Sequence, residues 1–178
     1  MTDRQKKTAK ETFIQAMEEL LHKKAFSKIS VNELCEYIKV SRSAFYLYYE
    51  DKYQLFSCCL NEKHKFFEQM KLIYNPKDFI MFMLDYIQNE KRFFYNAFGA
   101  SDDEEIKEIA YQFFYQEFAD ILNGKIEEGV KLPGPVEIIS AFYVGGLTTT
   151  IIRWIKSNYK FSKEELAACL YDLLKDTI

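Results

Sequence analysis

Residues 29–56 read ISVNELCEYIKVSRSAFYLYYEDKYQLF, which contains two short helical patterns joined by a tight turn. Ser30 and Glu33 have the S-x-x-E spacing of a capping box, in which the hydroxyl accepts from an early backbone N–H and the carboxylate reaches back to the cap. The apolar residues that follow recur at i, i+3, i+4 and i+7: Val31, Leu34, Cys35 and Ile38. This spacing predicts a first helix with one apolar face.

A second helix is predicted to begin after Ser41, a suitable N-cap that follows a turn at residues 39–40. Phe45 and Tyr49 of this second segment face inward in a helical projection. Its solvent-side face carries Arg42, Ser43 and Tyr46. Two helices in this arrangement, with a basic, a hydroxyl and an aromatic side chain presented outward, are typical of a helix-turn-helix that enters a major groove.

The pattern S-V-x-E-L-C-x-Y-x-x-V-S-R-S-A-F-Y-x-Y-Y-x-x-K-x-x-L-F over residues 30–56 resembles the DNA-binding domain of TetR/AcrR-type bacterial transcriptional regulators. With the preceding helix, the resemblance covers about the first third of the chain. It implies phosphate contacts at some positions and base contacts at others. The implied phosphate contacts are Ser30, Tyr46, Tyr48 and Lys52, and the implied base contacts are Arg42 and Ser43. Arg42 is expected to read a guanine.

Four departures from the family pattern bear on this expectation. The family usually has Gly where Lys39 and Ala25 stand, and often Gly or a small residue where Ser43 stands. A non-Gly residue held at positive φ costs on the order of 1 kcal/mol. The family often has His where Tyr48 stands. These differences concern the operator sequence and the turn rather than the motif.

Composition and charge fit a DNA-binding protein once the chain is divided. The 178 residues carry a net charge of −3, but residues 1–52 have ten Lys/Arg against eight Asp/Glu, whereas the remainder has fourteen against nineteen. A basic end on an acidic body orients a protein on a polyanion. The sequence shows neither a secretory signal nor a run of about 20 apolar residues. We therefore expect a cytoplasmic protein with no membrane partner.

The chemistry-bearing residues do not indicate an enzyme. The four Cys form no C-x-x-C pair, and with two His they do not indicate zinc. His22 and His64 lie in helical patterns, and the sequence offers neither a nucleophile at a strained turn nor a Gly-rich phosphate loop. We expect no catalytic residue, no metal and no cofactor.

The rest of the chain follows helical periodicity throughout, so the expected fold is all-α. A first helix runs through Phe13 and Leu21, and a long fourth helix begins near Lys52. Ser101 with Glu104 and Ser162 with Glu165 are predicted capping boxes. We expect a three-helix helix-turn-helix domain over residues 1–52, followed by a helical effector-binding and dimerisation domain over residues 53–178.

The last two predicted helices include the segments AFYVGGLTTTIIRWI and FSKEELAACL, residues 141–155 and 161–170. They resemble the C-terminal pattern of a TetR subclass, that of the dihydroxyacetone-kinase operon regulator. In the family, these two helices pair with their symmetry mates, which implies a homodimer on a near-palindromic double-stranded operator. The expected interface residues are Ile139, Tyr143, Gly146, Thr150, Trp154, Leu166, Leu170 and Leu173.

Aromatic residues make up 17% of the chain, and most lie beyond residue 52. In the family, the middle helices usually enclose an inducer pocket. The residues predicted to line it are Phe66, Phe82, Tyr86, Phe94, Tyr111, Phe114 and Tyr115. Plain core packing is the alternative for each, and tyrosine hydroxyls suit a flat or apolar effector. The alternative is that the effector is a protein co-regulator and that no small molecule is bound.

The leading hypothesis is a sequence-specific transcriptional regulator, a repressor, that responds to an effector in its C-terminal domain. The alternative is an all-α interaction protein, a co-regulator or activator that binds a protein partner. DNA binding that depends on Arg42 would support the first hypothesis and exclude the second.

Overall fold

The structure is a computed structural model in which the backbone is described for residues 3–71, 76–100 and 102–175, and side chains for residues 9–63, 77–100 and 102–175. Within these ranges every element of regular secondary structure is a helix and there is no strand, which confirms the all-α prediction. The α-helices are Asp3–Leu21 (α1), Val31–Tyr37 (α2), Arg42–Tyr46 (α3), Lys52–Lys71 (α4), Pro76–Asn89 (α5), Lys91–Phe94 (α6), Glu104–Glu127 (α7), Val136–Lys156 (α8) and Lys163–Leu174 (α9). A short 3-10 turn, Phe26–Lys28, precedes α2, and α6 continues into a π-helical turn, Tyr95–Gly99.

The first three helices pack around the aromatic side chains of α1 and α3. Phe13 on α1 meets Phe45 on α3 edge-on, with ring centres 5.3 Å apart, and both side chains are fully buried. The helix predicted to run through Phe13 and Leu21 is confirmed, and its buried apolar stripe consists of Phe13, Ala16, Met17, Leu20 and Leu21. These contacts fix the orientation of α3 relative to α1.

The turn between α2 and α3 adopts the left-handed conformation that the family pattern implies. Lys39 has φ 58°, in the region that favours glycine. The N–H of Val40 donates to the carbonyl of Cys35 at 2.9 Å, and the N–H of Lys39 donates to that of Glu36 at 3.2 Å. This pair of hydrogen bonds is a Schellman motif, which ends α2 sharply.

Helix α4 belongs to both parts of the chain. Leu55 and Phe56 in its first turns are fully buried, and the Phe56 ring lies 5.3 Å from that of Phe26 in the N-terminal core. Helix α4 also contacts α5 and α7 of the C-terminal part. The predicted boundary at residues 52 and 53 remains a prediction, and the packing places the first turns of α4 with the N-terminal unit.

The C-terminal helices are arranged around an antiparallel pair, α7 and α8. The ring of Phe118 on α7 lies 5.7 Å from that of Tyr143 on α8, and α9 packs against α5. The capping box of α9 is confirmed, because the Ser162 hydroxyl accepts from the Glu165 N–H and the Glu165 carboxylate accepts from the Ser162 N–H.

The predicted capping box at the start of α7 is wrong in position. Helix α7 begins at Glu104, and Asp103 is its N-cap, with carboxylate Oδ1 accepting from the N–H groups of Glu105 and Ile106. Glu104 is therefore the first helical residue and not the third, while Ser101 lies outside the described residues. An aspartate at the N-cap position can accept from two backbone N–H groups of the first turn that have no partner within the helix.

Two hydroxyl side chains on α8 are buried in different ways. Thr148 Oγ1 donates to the carbonyl of Val144 at 2.7 Å. Ser140 is completely buried, and its Oγ has no hydrogen-bond partner among the described residues. A buried hydroxyl without a partner costs about 1–3 kcal/mol of desolvation.

Replacing Lys39 by glycine is expected to stabilise the protein. The substitution removes the strain of a Cβ at positive φ, and the greater flexibility of the unfolded chain offsets part of the gain, which leaves roughly 0.5–1 kcal/mol. Urea unfolding of Lys39→Gly measures this difference. Lys39→Ala is the matched control, since it removes the charge and keeps the Cβ. Equal stabilities of the two variants would contradict the strain at this turn.

Replacing Ser140 by alanine is expected to raise the free energy of unfolding by about 1 kcal/mol, because it removes a buried hydroxyl that has no partner. Thermal unfolding followed by circular dichroism checks this shift. Thr148→Val serves as the comparison on the same helix, because it loses a formed hydrogen bond and gains no stability. A less stable Ser140→Ala protein would show that the hydroxyl is satisfied after all.

Candidate nucleic-acid interface

The short helix α3 presents one side to solvent and anchors the other in the core. Ser41 caps the helix, since its Oγ accepts from the N–H of Ala44 at 3.3 Å, and it lies 2.9 Å from the hydroxyl of Ser43. Phe45 is buried, with its ring 5.5 Å from that of Tyr49. The side chains of Arg42, Ser43 and Tyr46 are exposed on the opposite face, as the sequence predicted.

Arg42 and Tyr46 form a pair along the exposed face of α3. Arg42 Nη2 donates to the Tyr46 hydroxyl at 3.2 Å, and the guanidinium carbon lies 5.8 Å from the centre of the Tyr46 ring. The pair restrains the guanidinium, and a guanidinium has five N–H donors. Its remaining donors are therefore available for a base edge or a phosphate.

Ser30 caps α2 at the edge of the same unit. Its Oγ accepts from the N–H of Glu33 at 3.2 Å, which is the first half of the predicted capping box. The second half is absent, because the Glu33 carboxylate accepts from the ammonium of Lys24 instead. The Ser30 side chain is exposed, and a hydroxyl that accepts from the backbone keeps its own O–H to donate to a phosphate.

Lys52 occupies a different position from the one that the resemblance implies. Its Nζ donates to the carbonyls of Phe26 and Ile29, both at 3.1 Å, and lies 4.3 Å from the centre of the Phe26 ring. Burial lowers the pKa of the Lys52 ammonium, against the opposing effect of Asp103 and Glu105. Lys52 therefore fastens the start of α4 to the loop before α2, and its phosphate contact stays a prediction.

The neighbouring tyrosines are partly core residues. Tyr48 is half-buried, with its ring centre 6.4 Å from that of Phe13. Tyr49 is buried, and its hydroxyl donates to the carbonyl of Lys10 at 3.2 Å. Burial is the main cause that raises the pKa of Tyr49. The phosphate contact expected of Tyr48 stays a prediction. Tyr49 holds the segment after α3 against α1.

The structure also exposes a residue that sequence reasoning missed. Leu47, at the C-cap of α3, is 75% exposed beside Tyr46. An apolar side chain at the edge of a reading surface suits contact with a thymine methyl group. The sequence could have indicated this exposure. Phe45 and Tyr49 point inward, and Leu47, midway between them, therefore points to the opposite side of the helix.

The residues predicted to line an effector pocket fall into two described groups. Tyr86 and Phe94 are in contact, with ring centres 6.1 Å apart, and Tyr111 lies 5.7 Å from Tyr115. Phe94 is buried among core rings, so it acts as a core residue. Phe82 and Phe114 are half-buried. The side chain of Phe66 lies outside the described residues.

The residues predicted to form the dimer interface divide into buried and exposed sets. Four are buried within the chain itself, at 3–8% exposure: Ile139, Trp154, Leu166 and Leu170. Trp154 Nε1, for example, donates to the carbonyl of Phe161 at 2.8 Å. These four side chains are therefore not available to a partner, and the prediction needs correcting at these positions. Gly146, Thr150 and Leu173 are exposed, and Tyr143 is half-buried against Phe118.

Of the two histidines, the structure describes the side chain of His22. His22 Nε2 lies 3.2 Å from Glu90 Oε2, which ties the end of α1 to the start of α6. The side chain of His64 lies outside the described residues. No group of three metal-binding side chains converges in the part of the chain that the structure describes.

The N-terminal and C-terminal parts of the sequence each match a known family. Residues 13–58 match the profile described as bacterial regulatory proteins of the tetR family. Residues 74–176 match a TetR-type profile described as a transcriptional regulator C-terminal region. A comparison with curated proteins gives no match.

Solved structures with this fold include regulators of several processes. The dihydroxyacetone kinase operon activator DhaS is 17% identical with a TM-score of 0.58, over 96% of both chains. The fatty acid degradation regulator FadR from Bacillus halodurans is 13% identical with a TM-score of 0.62, over 96% of both chains. NalD, the secondary repressor of the MexAB-OprM efflux pump in Pseudomonas aeruginosa, is 19% identical with a TM-score of 0.54, over 96% of this chain and 95% of that one.

At these identities the structural neighbours establish the fold, whereas the sequence profiles establish the family. The profile over residues 74–176 alone spans more than half of the 178 residues. The helix-turn-helix geometry described above occupies the region of the other profile. This chain belongs to the TetR family of bacterial transcriptional regulators.

Proposed function

We propose that this DNA-binding regulator acts in the cytoplasm as a homodimer that reads a near-palindromic operator through α3 of each subunit. The observation that carries the proposal is the geometry of α3, where buried Phe45 holds Arg42, Ser43 and Tyr46 outward. Arg42 and Ser43 read base edges, and Ser30, Tyr46 and Tyr48 contact phosphates. Two-fold symmetry with half-sites about one turn of B-DNA apart, roughly 34–36 Å, matches this arrangement.

The exposed face of α8 supports dimerisation through a second copy of the chain. Ile138 is 67% exposed and Phe142 is 75% exposed, and Leu173 on α9 is 65% exposed. Large apolar side chains that are this exposed on neighbouring helices favour a protein partner. Helix α8 is the one described helix long and apolar enough to cross a membrane by composition, a test that core helices of soluble proteins also pass. Packing against α7 on one side and against a second subunit on the other accounts for that composition.

The regulatory output proposed here is repression relieved by an effector in the C-terminal domain. The half-buried aromatic side chains of Phe82, Tyr86, Tyr111, Phe114 and Tyr115 support a small apolar or aromatic effector, and a protein co-regulator is the alternative. The solved neighbours include one named an activator and one named a repressor. A reporter fused to the operator promoter decides the sign, since loss of a repressor raises expression and loss of an activator lowers it.

Removing Arg42 is expected to weaken operator binding and to reduce selectivity. A bidentate contact with a guanine contributes about 1–3 kcal/mol of discrimination, so Arg42→Ala should lose roughly tenfold to a hundredfold in affinity for the operator. Fluorescence anisotropy with promoter DNA and with scrambled DNA, over a salt series, measures both quantities. Arg92→Ala, an exposed arginine on α6, is the matched control. Equal affinities of the two variants would remove Arg42 as the base-reading residue.

Placing a charge at Phe142 is expected to dissociate the dimer. An unpaired carboxylate buried in an interface costs several kcal/mol, so Phe142→Asp should raise the dimer dissociation constant by roughly a hundredfold or more. Sedimentation equilibrium measures this constant. Leu47→Asp is the control, because Leu47 is equally exposed at 75% and lies on α3. It should remain dimeric and lose operator binding, and a fully dimeric Phe142→Asp protein would exclude this face.

A further inference from the structure

Leu47 is one of the two most exposed large apolar side chains in the part of the chain that the structure describes. It is 75% exposed, as is Phe142 on the proposed dimer face of α8. Single apolar side chains are common on protein surfaces, so exposure by itself does not indicate a contact. The position of Leu47 on α3 is what distinguishes it from other exposed residues.

Leu47 lies on the line of α3 that faces directly away from the core. The backbone is still helical at this C-cap, with φ −73° and ψ −19°. Consecutive helical residues are about 100° apart, so Ser43 and Leu47 lie at about 160° and 200° from the buried Phe45. Arg42 and Tyr46 lie to one side of this line, at about 60° and 100° from Phe45. Leu47 therefore shares the outermost line of the helix with Ser43, one turn further along.

The contacts of the neighbouring side chains leave this line open. Tyr46 is held to the side, because its ring lies edge-on to that of Phe45 at 5.4 Å and its hydroxyl accepts from Arg42 at 3.2 Å. A second subunit does not cover Leu47 either, since the two α3 helices of the proposed dimer lie roughly 34–36 Å apart. In the DNA complex, the outermost line of α3 faces the floor of the major groove.

The chemistry of a leucine limits what it can recognise in that groove. Its side chain has no donor or acceptor, so it selects a base pair only through apolar contact. The major groove presents one apolar group, the C5 methyl of thymine. A residue four positions after Ser43 lies about 6 Å further along the helix axis, which corresponds to at most about two base pairs of 3.4 Å each.

We propose that Leu47 is a specificity-determining residue that contacts the C5 methyl group of a thymine in each operator half-site, within about two base pairs of the base that Ser43 contacts. This inference rests on the proposed function, because it identifies one base pair that the same reading helix selects. Leu47 then discriminates thymine by burial of a methyl group, whereas Arg42 and Ser43 select their bases by hydrogen bonding.

Removal of single methyl groups from the DNA tests this contact on the full-length protein. The operator is the promoter DNA that the unaltered protein selects over scrambled DNA. Each thymidine of one half-site is replaced in turn by deoxyuridine, which lacks the C5 methyl and keeps the hydrogen-bonding groups. Loss of one buried methyl group corresponds to roughly fourfold in affinity. We expect a loss of this size at one thymidine position, measured by fluorescence anisotropy.

Variants of Leu47 assign the methyl effect to this side chain. Leu47→Ala should bind the thymidine and deoxyuridine operators equally at that position, whereas Leu47→Met, which keeps an apolar side chain of similar length, should retain the difference. Ile126→Ala, which truncates an exposed apolar residue on α7, is the matched control and should also retain it. A cytosine at the same position should recover affinity when it carries a C5 methyl group, in the unaltered protein but not in Leu47→Ala.

The outcomes separate this inference from the proposed function. Selective operator binding that is insensitive to the methyl group at every thymidine position would overturn the contact. A methyl effect of the same size in Leu47→Ala would overturn the role of Leu47. Binding without any preference for promoter DNA over scrambled DNA would reject the proposed function, and the inference with it.

Discussion

The edge-on contact between Phe13 and Phe45 is the interaction on which the proposed DNA-reading surface of α3 depends. Helix α3 has five residues, far fewer than the roughly 12–15 that an isolated helix needs in water, so packing holds it in place. Phe45 supplies that packing on α1, and the hydroxyl of Tyr49 adds a hydrogen bond to the carbonyl of Lys10. The direction in which Arg42 points is therefore set by α1, which itself need not contact the bases.

Lys52 extends the same constraint into the long helix. A partly buried ammonium is stable only where its donors have acceptors, and the carbonyls of Phe26 and Ile29 provide them. The Phe26 ring below the charge adds a cation–π contact. The loop before α2 and the start of α4 are consequently held as one unit. A tilt of α4 would therefore move the helix-turn-helix with it, and this is the route by which the proposed effector would act on DNA binding.

Much of the fold could be predicted from the sequence, because helix periodicity and N-cap chemistry are local. The apolar stripe of α1, the cap at Ser41 and the capping box of α9 follow from residue spacing alone, and all are present. Errors arose where a side chain had two possible partners. Glu33 pairs with Lys24, which is distant in the sequence, and Asp103 caps α7 in place of Ser101. Residue spacing does not predict which partner such a side chain takes, because that depends on the tertiary contacts around it.

The same limit applies to the exposed face of α8, which we propose as the dimer face. Consecutive helical residues lie about 100° apart, so Ile138 faces outward while Ile139 is buried, although both are isoleucines in one apolar run. The outward stripe at i, i+4, i+8 and i+12 is Ile138, Phe142, Gly146 and Thr150. A Cβ built at Gly145 or Gly146 would meet no atom within 4 Å, so packing inside the subunit does not require either glycine. Each glycine costs an α-helix about 1 kcal/mol relative to alanine, and in the proposed dimer a close approach of the second subunit at Gly146 would offset that cost.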